Sequence, residues 1–194
     1  IARFQAESSR RLDIVWHDSG SLMGFDTPSS HSYTFKVGGS EKFRISSGGN
    51  ITKPSQVGFH AYGSATHNRT SSFVPEYDNE YFDIGGGYNT SNYRFTAPVA
   101  GRYFLYFQYL TYPSNDPNYK TFLFRKNGQS SGLYDQGFYR GREGEQGNQT
   151  SQQVSTYIQL SVNDYVEPYV EMSGGTFYNY MGSGHAHFWG FLVH

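Results

Sequence analysis

Residues 88–110 run Tyr88-Asn89-Thr90-Ser91-Asn92-Tyr93-Arg94-Phe95-Thr96-Ala97-Pro98-Val99-Ala100-Gly101-Arg102-Tyr103-Phe104-Leu105-Tyr106-Phe107-Gln108-Tyr109-Leu110. Two strand signals, 93–97 and 102–110, meet here across a turn. Pro98 has no amide hydrogen and stops either a helix or a ladder. Gly101 permits a tight turn between the two strands. Phe95, Tyr103, Leu105 and Phe107 are spaced to present bulky side chains to a core.

The same grammar continues on both sides. Upstream lie 57–62 and 81–84. Downstream, 119–125 leads into Asn127-Gly128, a strong short hairpin signal. Residues 154–160 alternate cleanly, Asn163-Asp164 turns the chain, and 165–172 follows, with Pro168 marking an edge or a bulge. Residues 187–193 make a last strand. No segment has a convincing helical period. Many short strands with Gly-rich turns predict a sandwich or jelly roll.

Composition agrees. The 194 residues include 18 Tyr, 16 Phe and 23 Gly against only 8 Leu, which favours β-structure over helix. With so few aliphatic residues the core is expected to be thin unless Tyr and Phe fill it or subunit association completes it. Fifteen Lys+Arg against 16 Asp+Glu gives a near-neutral chain, which excludes an electrostatic grip on nucleic acid or an anionic membrane as the main activity. There is no Cys, so no disulfide framework, thiolate metal site or Cys nucleophile exists. No apolar run approaches a membrane span. The first residues, Ile1-Ala2-Arg3, read as those of a fragment or processed product.

Residues 1–53 differ from the rest and are expected to form a separate β-rich collar, with a head over 54–194. Strands are expected at 10–16, 33–37 and 43–45, with Gly38-Gly39 and 46–50 as turns. Such short strands need something else to pack on.

The stretch 88–104 resembles the signature of the complement C1q-type globular domain: an aromatic-Asn pair, a short gap, then Phe-Thr-Ala-Pro-x-x-Gly-x-Tyr-Phe. Phe124-Arg125-Lys126-Asn127-Gly128 is similar to that family's strand and Asn-Gly hairpin. Leu160-Ser161-Val162-Asn163-Asp164-Tyr165-Val166 is similar to its Leu-x-x-Gly-Asp-x-Val turn, with Asn163 where Gly is usual. Phe188-Trp189-Gly190-Phe191-Leu192-Val193 is similar to its terminal strand. The resemblance implies an all-β, ten-stranded jelly roll of the tumour-necrosis-factor type that assembles as a homotrimer. Independently of the family, Gly190 between two aromatic residues suggests a close backbone approach.

Residues 33–51, Tyr33-Thr34-Phe35-Lys36-Val37-Gly38-Gly39-Ser40-Glu41-Lys42-Phe43-Arg44-Ile45-Ser46-Ser47-Gly48-Gly49-Asn50-Ile51, resemble segments of phage tail fibres, particularly those of marine cyanophages. No collagen-like stalk precedes the head. Together these imply a virion fibre tip that recognises a host cell-surface ligand, a glycan or a protein, with other fibre or tail proteins as partners. A secreted C1q-like recognition module in an extracellular setting and a purely structural virion decoration protein are the alternatives.

Strand parity places three long loops, 111–119, 136–150 and 173–184, at one end of the head, and both tight turns at the other. The apical loops offer Tyr112, Asn115, Tyr119, Tyr134, Tyr139, Arg140, Arg142, Phe177, Tyr178 and Tyr180 as candidate ligand contacts. Rigid amphipathic rings beside hydrogen-bonding neighbours are what adaptable recognition surfaces use. The alternative is that these tyrosines cap the core or meet across subunits. No cofactor is required, but two metal readings arise. His185 and His187 would face the same way on a strand, and by resemblance to phage fibres such a pair repeated about a threefold axis would hold an axial ion. Asp78, Glu80 and Asp83 form a carboxylate group that would suit calcium. No nucleophile elbow, phosphate loop or paired-carboxylate motif is present, so no enzyme is expected.

Overall fold

A computed structural model describes residues 2–7, 10–17, 22–27, 29–112, 119–129, 138–141, 150–182 and 184–194. Every regular element among them is a strand, and no helix is long and apolar enough to cross a membrane. The chain divides into two compact units, Ile1–Ser55 and Gln56–His194.

The first unit holds two small antiparallel sheets. Strands β1 (Ala2–Glu7), β2 (Arg10–His17) and β3 (Leu22–Asp26) pair in sequence order. Strands β4 (Tyr33–Val37), β5 (Ser40–Ile45) and β6 (Ile51–Thr52) do the same. Gly38 and Gly39 link β4 to β5 with φ of 59° and 79°, the two positive values of a type I′ hairpin turn, which only residues such as Gly adopt at low cost. Phe35 and Phe43 face each other edge-on at 5.5 Å. Even so, Phe25, Phe35, Val37 and Ile51 are all more than half exposed. Among the side chains described in this unit none is buried.

The second unit contains β7 (Gly58–Tyr62), β8 (Thr66–Arg69), β9 (Asn79–Ile84), β10 (Tyr88–Asn89), β11 (Arg94–Thr96), β12 (Gly101–Tyr112), β13 (Tyr119–Lys126), β14 (Phe138–Gly141), β15 (Thr150–Leu160), β16 (Tyr165–Ser173), β17 (Phe177–Tyr180) and β18 (His187–Leu192). One sheet runs β10-β11-β16-β13-β14. The other is organised around β12. One edge of β12 pairs with β15 from Gly101↔Leu160 to Thr111↔Thr150. Its other edge pairs first with β18 and then with β17. Strands β17 and β18 therefore share one position, interrupted by residues 181–186, and β7 and β8 share the next beside them. Gly63 N–H to Ala186 O and Met181 N–H to Ala65 O, each 3.2 Å, close the two ends of that interruption. With β9 outermost, each sheet has five positions. The two together make the ten-position antiparallel jelly roll expected for this unit.

Tyr and Phe do fill the core. On β12, Tyr103, Leu105 and Phe107 are fully buried and meet Phe95, Phe122, Phe124, Val166 and Val170 of the facing sheet. Phe59 stacks on Phe95 at 4.6 Å, and Phe107 meets Phe124 edge-on at 4.9 Å. Each such ring brings large apolar area plus favourable ring geometry, which compensates for the scarcity of Leu. Gly190 is fixed by contact: a Cβ there would lie 2.4 Å from Leu105 Cδ2 and 2.7 Å from Phe104 O. Gly101 is likewise a close-approach glycine rather than a positive-φ turn residue, since its Cβ would meet Leu192 Cδ1 at 2.5 Å. The Asn127-Gly128 turn is present, with φ of 52° and 73°. It does not open a tight hairpin, because β13 pairs with β14 only from Leu123↔Phe138 to Lys120↔Gly141.

Candidate functional site

Two surfaces of the second unit are candidates: the outward face of the β12 sheet and the strand ends farthest from the chain entry. The face follows from alternation. Tyr103, Leu105 and Phe107 point inward, so Arg102, Phe104, Tyr106 and Gln108 point outward. Register then assembles the neighbours. Trp189 lies opposite Tyr106, and Phe191 opposite Phe104. His60 lies opposite both Trp189 and Phe82, and Tyr157 opposite Phe104.

The rings touch one another. Tyr106 sits 5.0 Å from Trp189, Phe104 5.7 Å from Trp189 and 5.8 Å from Phe191. Tyr81 stacks on Tyr62 at 4.5 Å and leans on His60 at 4.8 Å. A shallow cleft of about 190 Å³ lies between Phe82, His60, Gly58, Trp189 and Phe191, floored by Phe59 and Gly190. Phe82 and Tyr157 are each 48% exposed and Phe191 44%. Isolated exposed apolar residues are ordinary, whereas a continuous aromatic sheet face marks a candidate contact surface. The sequence carried a signal for this face. In 103–107 both parities are apolar, so this strand carries bulky side chains on its outward side as well as towards the core.

Register also fixes the two ends. Thr111↔Thr150, Tyr112↔Tyr178, Tyr119↔Ser173 and Lys120↔Gly141 lie at one end. At the other are Gly101↔Leu160, the turns at Asn127 and Asn163, and the Leu192 N–H to Val57 O bond of 2.9 Å beside the chain entry. Of the sequence-derived candidates, Asn115, Tyr134 and Arg142 fall outside the described residues. Tyr112, Tyr119, Tyr139 and Arg140 sit on strands at the far end rather than in loops. The span 173–184, expected as a loop, contains β17. Phe177 is 1% exposed, with its ring 5.7 Å from Phe73 and 6.2 Å from Phe122, so it belongs to the core and not to a binding rim. Tyr178 and Tyr180 are half-buried, and their register with Tyr112 and Leu110 puts them at the apical margin of the aromatic face.

The metal candidates are rearranged. His185 is exposed on the 181–186 interruption, its ring 5.2 Å from Tyr180. His187 turns instead to His60, with His187 Nδ1 and His60 Nε2 3.1 Å apart. Burial first, and then a neighbouring imidazole, His187 beside His60 and His185 beside His187, hold both below the usual imidazole range. The carboxylates Asp78, Glu80 and Asp83 do not converge. Asp78 accepts from the Ser64 N–H at 2.9 Å and the Ser64 hydroxyl at 2.5 Å. Asp83 accepts from the amides of Gly87 and Tyr88 at 3.2 and 3.0 Å, and Glu80 is exposed. Among the described residues no three metal-binding side chains come together, so the calcium group read from the sequence is not assembled.

Neither a family model nor a curated protein matches this chain at the level of sequence. Solved structures do match. Eiger TNF from S. frugiperda aligns with a TM-score of 0.53 and 12% identity over 72% of this chain and 94% of that one. Murine APRIL aligns with a TM-score of 0.51 and 11% identity, over 71% and 99%. The globular domain of the zebrafish complement 1qA protein aligns with a TM-score of 0.46 and 14% identity, over 72% and 98%. At such identities the likeness to the first two is one of architecture, and it agrees with the two five-position sheets described above: the chain carries a jelly roll of the tumour-necrosis-factor type.

Proposed function

We propose that this protein is a homotrimeric recognition module, the tip of a virion fibre, which binds a host cell-surface ligand at the end of the jelly roll remote from the chain entry. The aromatic face of the β12 sheet is the observation that carries the assembly. Trp189, Phe191, Phe104, Tyr106, Phe82 and Tyr157 make one apolar surface that a second and third copy would remove from water. Burying a few hundred Å² of such surface per copy contributes several kcal/mol, at about 25 cal/mol per Å². Depletion of charge and enrichment in Trp, Tyr and Phe are what the centre of a protein–protein interface needs.

The fibre context is supported by residues 33–51, and the entry of the chain at the basal end supports a distal display of the opposite end. Tyr178 and Tyr180 at that margin provide ring faces that stack on a sugar, which favours a glycan ligand. Three identical sites on one tip would convert weak individual contacts into avidity. Sedimentation velocity tests the assembly. The wild-type chain is expected to run as a trimer, and Trp189→Glu as a folded monomer. A monomeric wild type overturns the reading. Binding of the trimer to a glycan array tests the ligand class, with adsorption to intact cells as the parallel measurement.

A further inference from the structure

The antiparallel register of β7 and β18 pairs His187 with Tyr62 and Trp189 with His60, which makes His60 and His187 diagonal neighbours on the outward face. Their facing nitrogens, His60 Nε2 and His187 Nδ1, are 3.1 Å apart, with ring centroids 5.1 Å apart. We propose that this pair is a binding site for a divalent transition-metal ion of the imidazole-preferring class, such as Zn²⁺, Ni²⁺ or Cu²⁺. Both ligands come from one chain, and they lie on the same outward face that the proposed trimer would cover, which the chain's own geometry makes available before assembly.

Geometry carries the proposal. With metal–nitrogen bonds of about 2.0–2.1 Å, a nitrogen–nitrogen span of 3.1 Å subtends about 98° at the metal, between the octahedral and tetrahedral angles. To reach that point each ring would turn its gap nitrogen off the hydrogen-bond line towards the ion, while the span between the two nitrogens stays as it is. The donors stand on paired strands, which hold them more firmly than loops would. Tyr81 leans on one side of the pair, 4.8 Å from the His60 ring and 6.4 Å from that of His187. Such an aromatic wall limits solvent access.

The proton count balances. In the metal-free pair one ring donates its N–H across the gap and the other accepts. On metal binding both gap nitrogens present lone pairs to the ion. The bridging proton moves to the remote nitrogen of its own ring, His60 Nδ1 or His187 Nε2, so two neutral imidazoles remain. No third protein donor joins them among the described residues, and water takes the remaining positions. His185 plays no part, because its ring packs on Tyr180.

The test uses the untagged full chain near pH 7.5. Zn²⁺ titrated calorimetrically is expected to bind at one ion per chain. Long-range proton–nitrogen NMR should place the perturbation on His60 Nε2 and His187 Nδ1. His60→Gln and His187→Gln should each weaken binding by about tenfold or more, while His185→Gln leaves it unchanged. Absence of saturable binding to wild type overturns the site. So does undiminished binding in both His60→Gln and His187→Gln, or a loss in His185→Gln as large as theirs. The NMR assignment is made on the wild type and decides the matter even if a variant fails to fold.

Discussion

Asn127 ties its own turn to that of Asp164. Its Nδ2 donates to Asp164 Oδ1 at 2.8 Å, and its Oδ1 accepts from the Tyr165 N–H at 2.9 Å. Asp164 also receives the Ser161 N–H at 2.8 Å and Lys126 Nζ at 2.7 Å. These bonds join β13 to β16 at the basal end, where the backbone takes positive φ at Asn127, Gly128 and Asn163. Replacing Asp164 by Ala is expected to cost about 1–3 kcal/mol, because two side-chain donors and one amide lose a charged acceptor. Urea denaturation reads the loss.

The same carboxylate sets a pH dependence. Its bonds to Lys126, then Asn127 and the Ser161 amide, lower its pKa to about 2. A depressed folded-state value means that the stabilisation is fully present above the unfolded-state pKa of about 4 and is lost as pH falls towards 2. The group is partly solvated and screened, so the effect is modest. Thermal melts of wild type and Asp164→Asn should converge between pH 4 and pH 2. Parallel curves across that range would show that other carboxylates carry the acid sensitivity.

Asn163 stands where the resembling signature has Gly, and its φ of 68° gives the reason for both. That position needs a left-handed backbone, which Gly adopts freely and Asn tolerates. Asn163→Gly is expected to leave stability within about 0.5 kcal/mol, and Asn163→Val to lower it by about 1–2 kcal/mol. Calorimetry of the two variants side by side checks the order.

Glu167 is buried beneath two guanidinium groups. Arg94 Nε donates to Glu167 Oε2 at 2.7 Å, and Arg125 bonds the other carboxylate oxygen. Each arginine also lies over a ring, Arg94 on Tyr165 at 4.3 Å and Arg125 on Tyr169 at 3.7 Å. Removing the shared carboxylate leaves two partly buried cations facing each other. Glu167→Gln should therefore destabilise by about 3–5 kcal/mol, more than either Arg94→Met or Arg125→Met. Equal losses across the three variants would contradict the shared-carboxylate account.

Local patterns made the strands legible, and the long-range register decided what they could not. Period-2 alternation located β12 and its core residues, because inward and outward side chains differ along a single strand. The aromatic face was harder to see. Phe104, Tyr106, Trp189, Phe191 and Phe82 come from three strands, and only pairing makes them one surface. The rule that residues two apart on a strand face alike joins His187 to His185. The interruption at 181–186 takes His185 off the strand, and the actual partner, His60, lies 127 residues away. Phe177 falls in the span 173–184 that reads as a loop, because the strand it opens is only four residues long and follows closely on Gly174 and Gly175. By sequence alone Asp83 suits a cation ligand. It instead caps amides four and five residues ahead in its own turn, a use that a carboxylate-rich sequence does not distinguish from calcium binding.

The neighbouring positions 177, 178 and 180 separate core from rim. Phe177 packs against Phe73 and Phe122 with Lys120 Nζ 5.0 Å from its ring, so Phe177→Ala should cost about 3–5 kcal/mol and lower the melting temperature sharply. Tyr178 and Tyr180 keep part of their surface in water at the apical margin. Tyr178→Ala and Tyr180→Ala should fold with small losses of stability. As proposed ligand contacts, they should also reduce adsorption to cells or glycan by about tenfold when combined, because loss of a good stacking contact weakens each of three sites that act together. Melting temperature and adsorption are measured on the same preparations. A double variant that melts like wild type and adsorbs undiminished would remove the tyrosine margin from the recognition surface and leave the trimer untouched.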